Sequence, residues 1–157
     1  MAGRISSGFS WVGLLLLISM LMAPVPAFST DDAGPRGILG GWVTKDDKSV
    51  VEVYECDNGA YCLKIVWLKE PLEKDGSAKV DKNNPDSARK QDPIIGLTIG
   101  SGFMYKGGSV WKEGNIYDPD NGKTYSCKME LDGDSLKVRG FIGVSLFGRT
   151  ELWKRKQ

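Results

Sequence analysis

The stretch that decides the fold is Gly114-Asn-Ile-Tyr-Asp-Pro-Asp-Asn-Gly-Lys-Thr-Tyr125, followed by Leu136-Lys-Val-Arg-Gly-Phe-Ile-Gly-Val-Ser-Leu-Phe-Gly-Arg149 and Trp153. Apolar and polar residues alternate along these segments, Asp, Asn and Gly mark the turns, and no helical periodicity interrupts them. Alternation with a period of two is the pattern of a strand with one buried face. The C-terminal third therefore predicts an antiparallel sheet, although no residue set in the chain identifies a substrate.

The same pattern continues towards the N-terminus and predicts eight strands in all. Eight short strands joined mostly by hairpins predict an all-β fold, either an antiparallel up-and-down barrel or a sandwich. By length, residues 38–157 form one domain, preceded by a polar segment at 28–37 that we expect to be disordered. The predicted strands lie at about 39–45, 49–56, 60–69, 94–104, 109–117, 123–131, 135–142 and 147–155.

Residues 1–27 have the features of a signal peptide. Arg4 is followed by an apolar run over 11–22 and then by Pro24-Val-Pro-Ala27. This run of about twelve residues is shorter than the roughly 20 that span a bilayer. We therefore predict a cleavable signal peptide, with an uncleaved N-terminal anchor as the alternative.

Charge and composition exclude several classes of function. Without Arg4 the chain keeps 20 basic and 20 acidic residues, a balance that argues against nucleic acid or an anionic surface as an electrostatic partner. The chain contains no histidine, which removes Ser-His-Asp catalysis and every His-ligated metal site. We predict that the protein is not an enzyme and has no cofactor.

Strand pairing predicts one disulfide bond. If Val53 pairs with Ile65 in the hairpin through Asp57-Asn-Gly59, Cys56 lies directly opposite Cys62 on the outer face. Such a pair has the separation that a disulfide needs. Two free thiols are the alternative.

Cys127 belongs to the opposite kind of face. It alternates in register with the apolar residues of strand 123–131, so its side chain is expected to point inward. Apolar surroundings raise the pKa of a thiol. We therefore interpret Cys127 as a packed core residue rather than a nucleophile.

The segment 70–93 breaks the strand pattern. A loop of this length is often functional, and Pro85 could begin one helical turn over 87–90. It is either a solvated surface excursion or a lid or binding loop. The candidate loop site consists of Asp81, Asn83, Asn84 and Asp86.

Two Asp-rich clusters raise the question of a metal site. Neither the loop cluster nor Asp118-Pro-Asp-Asn-Gly122 matches a calcium-loop pattern. The second cluster has the composition of a tight turn, in which Asn-Gly supplies positive φ. We predict no metal site.

The two ends of the predicted barrel carry a possible closure contact. Gly40-Gly-Trp42 opens the first strand and Trp153-Lys-Arg155 ends the last. First and last strands are neighbours in a closed barrel, so Trp42 and Arg155 could form a cation–π contact. A Gly-x-Trp motif with a terminal arginine is a short signature of lipocalin-like barrels.

In the Gly40-Gly-Trp42 motif and in the segments 114–125 and 138–149, the chain resembles a bacterial exported family known as domain of unknown function 2147. The resemblance implies a lipocalin-like barrel, periplasmic or secreted, with no established activity. Leu63 and Asp92 depart from the family pattern, and Asp92 argues against anion binding by the loop. The matching residues are Gly40-Gly-Trp42, Cys62, Lys64-Ile-Val-Trp67, Asp81-Lys-Asn-Asn-Pro-Asp86, Ile95-Gly-Leu97, Gly114 to Tyr125, Val138 to Arg149, and Trp153.

We expect the barrel to bind a small apolar or amphipathic ligand, because eight strands enclose either a filled interior or space for one such molecule. The alternative is a protein-interaction module, an envelope inhibitor or assembly factor, that acts through the 70–93 loop. No nucleic acid partner and no stable membrane span after cleavage are expected. Candidate ligand-lining residues, each equally plausible as core, are Tyr61, Trp67, Trp111, Tyr125 and Met129.

Export makes a first prediction. The mature chain should begin after Ala27 or after Ser29, because small residues at these positions fit a cleavage site. N-terminal sequencing of the protein recovered from its own cells measures this. A chain that begins at Met1 and stays in the membrane fraction would contradict it.

Overall fold

The structure, a computed structural model, describes Gly3 and residues 33–157. Within these residues eight antiparallel strands form a closed barrel in sequence order, which confirms the up-and-down barrel and excludes the sandwich. The rest of the predicted signal peptide and residues 28–32 lie outside the described residues. The strands are β1 Gly40–Val43, β2 Ser49–Glu55, β3 Tyr61–Leu68, β4 Thr98–Tyr105, β5 Val110–Asp118, β6 Lys123–Asp132, β7 Ser135–Phe141 and β8 Arg149–Arg155. Short 3-10 turns lie at Lys45–Asp47, Asp57–Gly59, Ser87–Arg89 and Ser145–Phe147.

The barrel has one packed end and one open end. The packed end contains the β2–β3, β4–β5 and β6–β7 turns, and its interior is filled by side chains. In β5, Gly114 lies against the ring of Phe103, where a Cβ atom would overlap the ring carbons. Residues with no exposed surface in this core are Ile38, Trp42, Leu63, Phe103, Trp111, Met129 and Leu136.

The segment before β1 is ordered where the structure describes it, which differs from the expected disorder of 28–37. Residues 35–38 form a turn, and the amide of Gly37 donates to the carbonyl of Gly34. Ile38 is fully buried, and its carbonyl accepts a 2.8 Å hydrogen bond from Trp42 Nε1. The turn therefore covers the packed end of the barrel, because an apolar side chain and an indole N–H fix it there.

β4 begins at Thr98, four residues later than the sequence predicts. Gly96 has φ +96°, which interrupts an extended strand. Ile94 and Leu97 are nevertheless buried, so the alternation that predicted a strand comes from loop residues packed against the core.

The β2–β3 hairpin contains the predicted Cys56–Cys62 disulfide, with a Cα–Cα distance of 5.8 Å. The register that predicted it is wrong by two residues, since Val53 pairs with Leu63 and Cys62 lies opposite Tyr54. β2 ends at Glu55, and Cys56 begins the turn that reaches back to Cys62. Cys62 is buried rather than on an open outer face.

Barrel closure depends on β1 and β8. Only two residue pairs join them, Trp42 with Arg155 and Val43 with Lys154. The guanidinium carbon of Arg155 lies 4.3 Å from the centroid of the Trp42 ring. Its two terminal nitrogens donate to the carbonyls of Gly37 at 2.6 Å and Leu39 at 3.2 Å. One arginine thus connects the last strand, the first strand and the N-terminal turn.

This geometry predicts coupled losses of stability. Arg155→Ala should cost about 2–3 kcal/mol, because it removes a partly desolvated cation–π contact and two charge-assisted hydrogen bonds. Trp42→Ala should cost about 3–5 kcal/mol as a large buried aromatic. Denaturant melts of the two single variants and the double variant measure the coupling, which should make the combined loss smaller than the sum.

The matched control is Lys154→Ala, an exposed position on the same strand, which should change stability by no more than about 0.5 kcal/mol. Strict additivity of the Trp42 and Arg155 losses would show that their contact does not contribute to closure.

Candidate functional site

A cavity of about 940 Å³ occupies the open end of the barrel. Each of the eight strands approaches this end, and the connections β1–β2, β3–β4, β5–β6 and β7–β8 surround it. A second cavity of about 450 Å³ lies at the packed end, beside Ala33, Ser109 and Glu130. The larger cavity has the interior position and the volume of a small-molecule site, for which 300–1,000 Å³ is usual.

The deep part of the cavity is apolar. Inward-facing residues of the strands form its floor and walls, and most of them are buried among aliphatic and aromatic neighbours. Such a surface favours an apolar ligand group, because contact removes apolar area from water on both sides. The apolar lining consists of Val51, Ile65, Leu68, Val80, Ile94, Ile99, Ile116, Val138 and Trp153.

The rim of the cavity carries charges of both signs. Glu151 lies on the inward face of β8 between Arg149 and Trp153. Its carboxylate is 3.7 Å from Arg149 Nη2 and accepts a 3.4 Å hydrogen bond from Trp153 Nε1. The other charged residues lining the rim are Lys45, Asp46, Lys48, Lys69, Glu70, Glu73, Lys79, Lys82, Asp118 and Asp120.

The β3–β4 connection forms one wall of the cavity. Asn83 attaches it to the β5–β6 turn, since its Nδ2 donates to the carbonyls of Pro119 at 2.9 Å and Asp120 at 3.0 Å. Gly122, at φ +70°, lies directly against the Asn83 carbonyl, where a Cβ atom would overlap it. The loop is therefore fixed at the open end of the barrel, and we call this contact between Asn83 and the β5–β6 turn the loop latch.

Asp81 provides the second attachment of this loop. Its side chain has no exposed surface, and its carboxylate accepts 2.7 Å hydrogen bonds from Tyr117 Oη and from Asn84 Nδ2. Burial, and then the bond to Asp81, raise the pKa of Tyr117 to about 12, so this hydroxyl keeps its proton at physiological pH. Asp81 binds groups of its own chain and serves as an anchor.

Asp86 caps the short helical turn rather than facing a ligand. Its carboxylate accepts from the amide of Ala88 at 2.9 Å, and the turn covers Ser87–Arg89. The predicted turn is present, but Asp86 rather than Pro85 begins it. The candidate loop residues Asp81, Asn83, Asn84 and Asp86 thus lie together as a structural network.

Only one of the five candidate lining residues lies on the cavity. Tyr125 lines it, whereas Tyr61, Trp111 and Met129 are buried in the packed core. Trp67 is 45% exposed on the outside, because an irregularity between Val50 and Val51 shifts the β2–β3 pairing and ends the alternation that predicted an inward side chain.

The remaining predicted positions have structural surroundings. Cys127 is buried and free, and burial raises its pKa to about 12. Asp118 accepts from the amide of Asp120 and, through its main-chain carbonyl, from that of Gly122, as a tight turn requires. Among the described residues no group of three or more acidic, cysteine or histidine side chains could hold a metal ion.

Sequence reasoning missed an exposed apolar loop beside the cavity. Residues 142–148 join β7 to β8, and their four large apolar side chains point to solvent. The largely apolar character of Phe141-Ile-Gly-Val-Ser-Leu-Phe-Gly148 is the signal in the sequence, but the predicted strands 135–142 and 147–155 include Ile142 and Phe147 and leave only 143–146 as a turn. The exposed residues, which we call the apolar tip, are Ile142, Val144, Leu146 and Phe147.

In the described residues no helix has both the length and the apolar character that crossing a bilayer demands. No curated protein matches this chain.

The fold is similar to a solved lipocalin structure. Protein HP1028 from Helicobacter pylori, described as belonging to the lipocalin family, has a TM-score of 0.66 and 25% identity to this chain, covering 76% of it and 83% of HP1028. The eight-stranded closed barrel is thus lipocalin-like. Residues 40–155 also match the family model described as uncharacterized protein conserved in bacteria, DUF2147. The match covers all eight strands, and the chain therefore belongs to the DUF2147 family.

Proposed function

We propose that this protein binds one small apolar or amphipathic molecule in the cavity at the open end of its barrel. The observation that carries the proposal is a cavity of about 940 Å³ with an apolar interior and a charged rim. The cavity is already formed inside the closed barrel, and a preformed site lowers the entropic cost of binding.

The arrangement of the lining favours an amphipathic ligand. Its apolar part would contact residues such as Ile99 and Val138, and its polar part would remain beside Arg149 and Glu151. Because the rim carries both signs of charge, its lysines, arginine and carboxylates could contact either a zwitterionic or a singly charged head group. This is a binding role in which the cavity residues position a molecule and need no proton transfer.

The contacts of the 70–93 loop support this proposal over the alternative of a protein-interaction module. Asn83 and Asp81 hold the loop against the barrel, and several of its side chains line the cavity. A loop used in this way is a wall of the ligand site. Its role as a partner-binding loop would require a surface beyond these contacts.

We also propose export to the periplasm or beyond, in keeping with bacterial membership of the family. The Cys56–Cys62 disulfide supports it, since disulfides persist in oxidising compartments. The predicted signal peptide gives the route.

A cavity-filling variant tests ligand binding. Ile99→Trp should weaken binding of a fluorescent fatty acid at least about tenfold, because the larger side chain occupies the apolar interior while overpacking costs about 1–3 kcal/mol of stability. Fluorescence titration gives the Kd, and a denaturant melt checks the fold. The matched control Thr98→Trp, an exposed neighbour on β4, should bind within about twofold of the native protein.

Native mass spectrometry of the protein from its own envelope identifies the bound species. A co-purifying small molecule that Ile99→Trp loses would support the proposal. A dry cavity together with a stoichiometric protein partner would favour the interaction module. Equal affinity of both tryptophan variants for the probe would show that the cavity is not the site.

The loop latch gives a further prediction. Gly122→Ala should detach residues 70–93, because the new methyl group overlaps the Asn83 carbonyl. Trypsin should then cut the loop faster, and the fatty-acid probe should dissociate faster. Limited proteolysis with peptide mapping and stopped-flow dissociation measure these effects.

Gly133→Ala is the matched control, because Gly133 also has positive φ, +57°, in a hairpin turn, yet a Cβ atom there has no neighbour within 4 Å. Both variants carry the backbone cost of about 1–2 kcal/mol for alanine in this conformation. Only Gly122→Ala should add the loss of the loop contact. Similar proteolysis of the two variants would argue against the latch.

A further inference from the structure

The apolar tip is a group of hydrophobic side chains that are exposed to solvent although the fold of the barrel does not require it. Ile142 is 72% exposed, Val144 58%, Leu146 79% and Phe147 82%. Single exposed apolar residues are common, but a contiguous group of this size is usually an interaction surface. These four side chains line neither of the two cavities described above and are not part of the core, so their exposure requires another account.

The loop that carries the tip has a fixed shape. Arg139 holds it from β7, donating from Nε to the Ser145 carbonyl at 2.8 Å, from Nη2 to the Leu146 carbonyl at 3.1 Å and from Nη1 to Thr150 Oγ1 at 2.7 Å. The Phe147 amide donates to the Val144 carbonyl. The apolar side chains are therefore presented to solvent by a preorganised loop.

We propose that the apolar tip docks the open end of the barrel onto the surface of a lipid bilayer. The loop joins β7 to β8 directly beside Gly140, Arg149 and Glu151, which line the cavity. Insertion of the tip to the depth of the head groups would place the mouth of the cavity at the membrane surface. The inference stands on the exposed loop and does not depend on ligand binding.

The size and shape of the tip favour a bilayer over a second copy of the chain. The tip consists of four side chains, whereas a standard protein interface involves about 20–30 residues on each partner. The tip is a projecting turn, and a matching protein surface would have to be concave. A bilayer needs no complementary shape, since its head-group region deforms around an inserted side chain.

The charges around the tip fit the same partner. The two charged residues that flank the loop, Arg139 in β7 and Arg149 in β8, are both basic, and Arg149 lies 3.7 Å from Glu151. The exposed side chain of Arg149 would lie at the level of the lipid phosphates, whereas the guanidinium of Arg139 is bonded to the loop itself. An apolar wedge between basic residues is typical of proteins that bind the membrane interface.

Vesicle sedimentation of the exported protein tests the proposal, using phosphatidylcholine vesicles with and without phosphatidylglycerol. Leu146→Ser/Phe147→Ser should reduce the bound fraction at least tenfold, because it removes the two most exposed side chains of the tip. The matched control Val66→Ser/Leu152→Ser removes two exposed apolar residues from the outer wall and should bind as the native protein does.

A label on the tip provides a second, independent measurement. Phe147→Cys can be labelled selectively with a nitrobenzoxadiazole fluorophore, because Cys127 is buried and Cys56 and Cys62 are joined. On vesicles its emission should shift to shorter wavelength, and nitroxide-labelled lipids should quench it.

Either absence of native binding or equal binding of the tip variant would overturn the proposal. The remaining possibility is that the tip binds a second copy of the chain, and sedimentation velocity without vesicles tests it. If the native protein is a dimer and the tip variant is a monomer, the second copy is the partner and the proposal of bilayer binding is wrong. Binding that requires the tip, together with quenching of the label, would establish it.

Discussion

The contact between Trp42 and Arg155 is the constraint on which the rest of the structure depends. A barrel has no edge only if its first and last strands pair, and here just two residue pairs join β1 to β8. Arg155 strengthens this narrow seam by contacting the indole ring and by binding the carbonyls of Gly37 and Leu39. Once the seam is closed, every other strand has two neighbours, and a cavity becomes possible inside.

Packing divides the barrel into a half that is filled by side chains and a half that contains the cavity. Aromatic residues such as Phe103 and Trp111 fill one end, so the other end can remain open without loss of a core. The loop network around Asp81 then completes the wall that the strands leave unfinished. Polar groups in this network satisfy one another, which leaves the cavity interior apolar, and the charged residues lie at its rim.

The local sequence pattern was enough to predict the strands and the contact of Trp42 with Arg155. Period-two alternation shows which side chains of a strand face inward, and the Gly-x-Trp motif marks the first strand. The disulfide was predicted correctly from a wrong register, since the short chain between Cys56 and Cys62 brings them together in either pairing. Trp67 shows the limit of this reasoning, because Val66 is an extra residue of β3 between the pairs Val51–Ile65 and Val50–Trp67, and it reverses the faces beyond it. The apolar tip was missed because a strand and an apolar turn can have the same composition. The contact of Asn83 with the β5–β6 turn could not be predicted either, because it joins residues that are distant in sequence.

The closing seam also has a consequence for how the chain acquires its fold. Seven of the eight strand pairings join sequence neighbours, and all of these except β3–β4 are connected by short turns, whereas the hydrogen bond from Arg155 to Gly37 spans 118 residues. Contacts of such long range form slowly and late. A chain in which β8 has not yet emerged from the ribosome or a translocation channel presents unpaired edges on β1 and β7, which are templates for aggregation. Correct folding of this barrel therefore requires that those edges stay apart until the last strand is available.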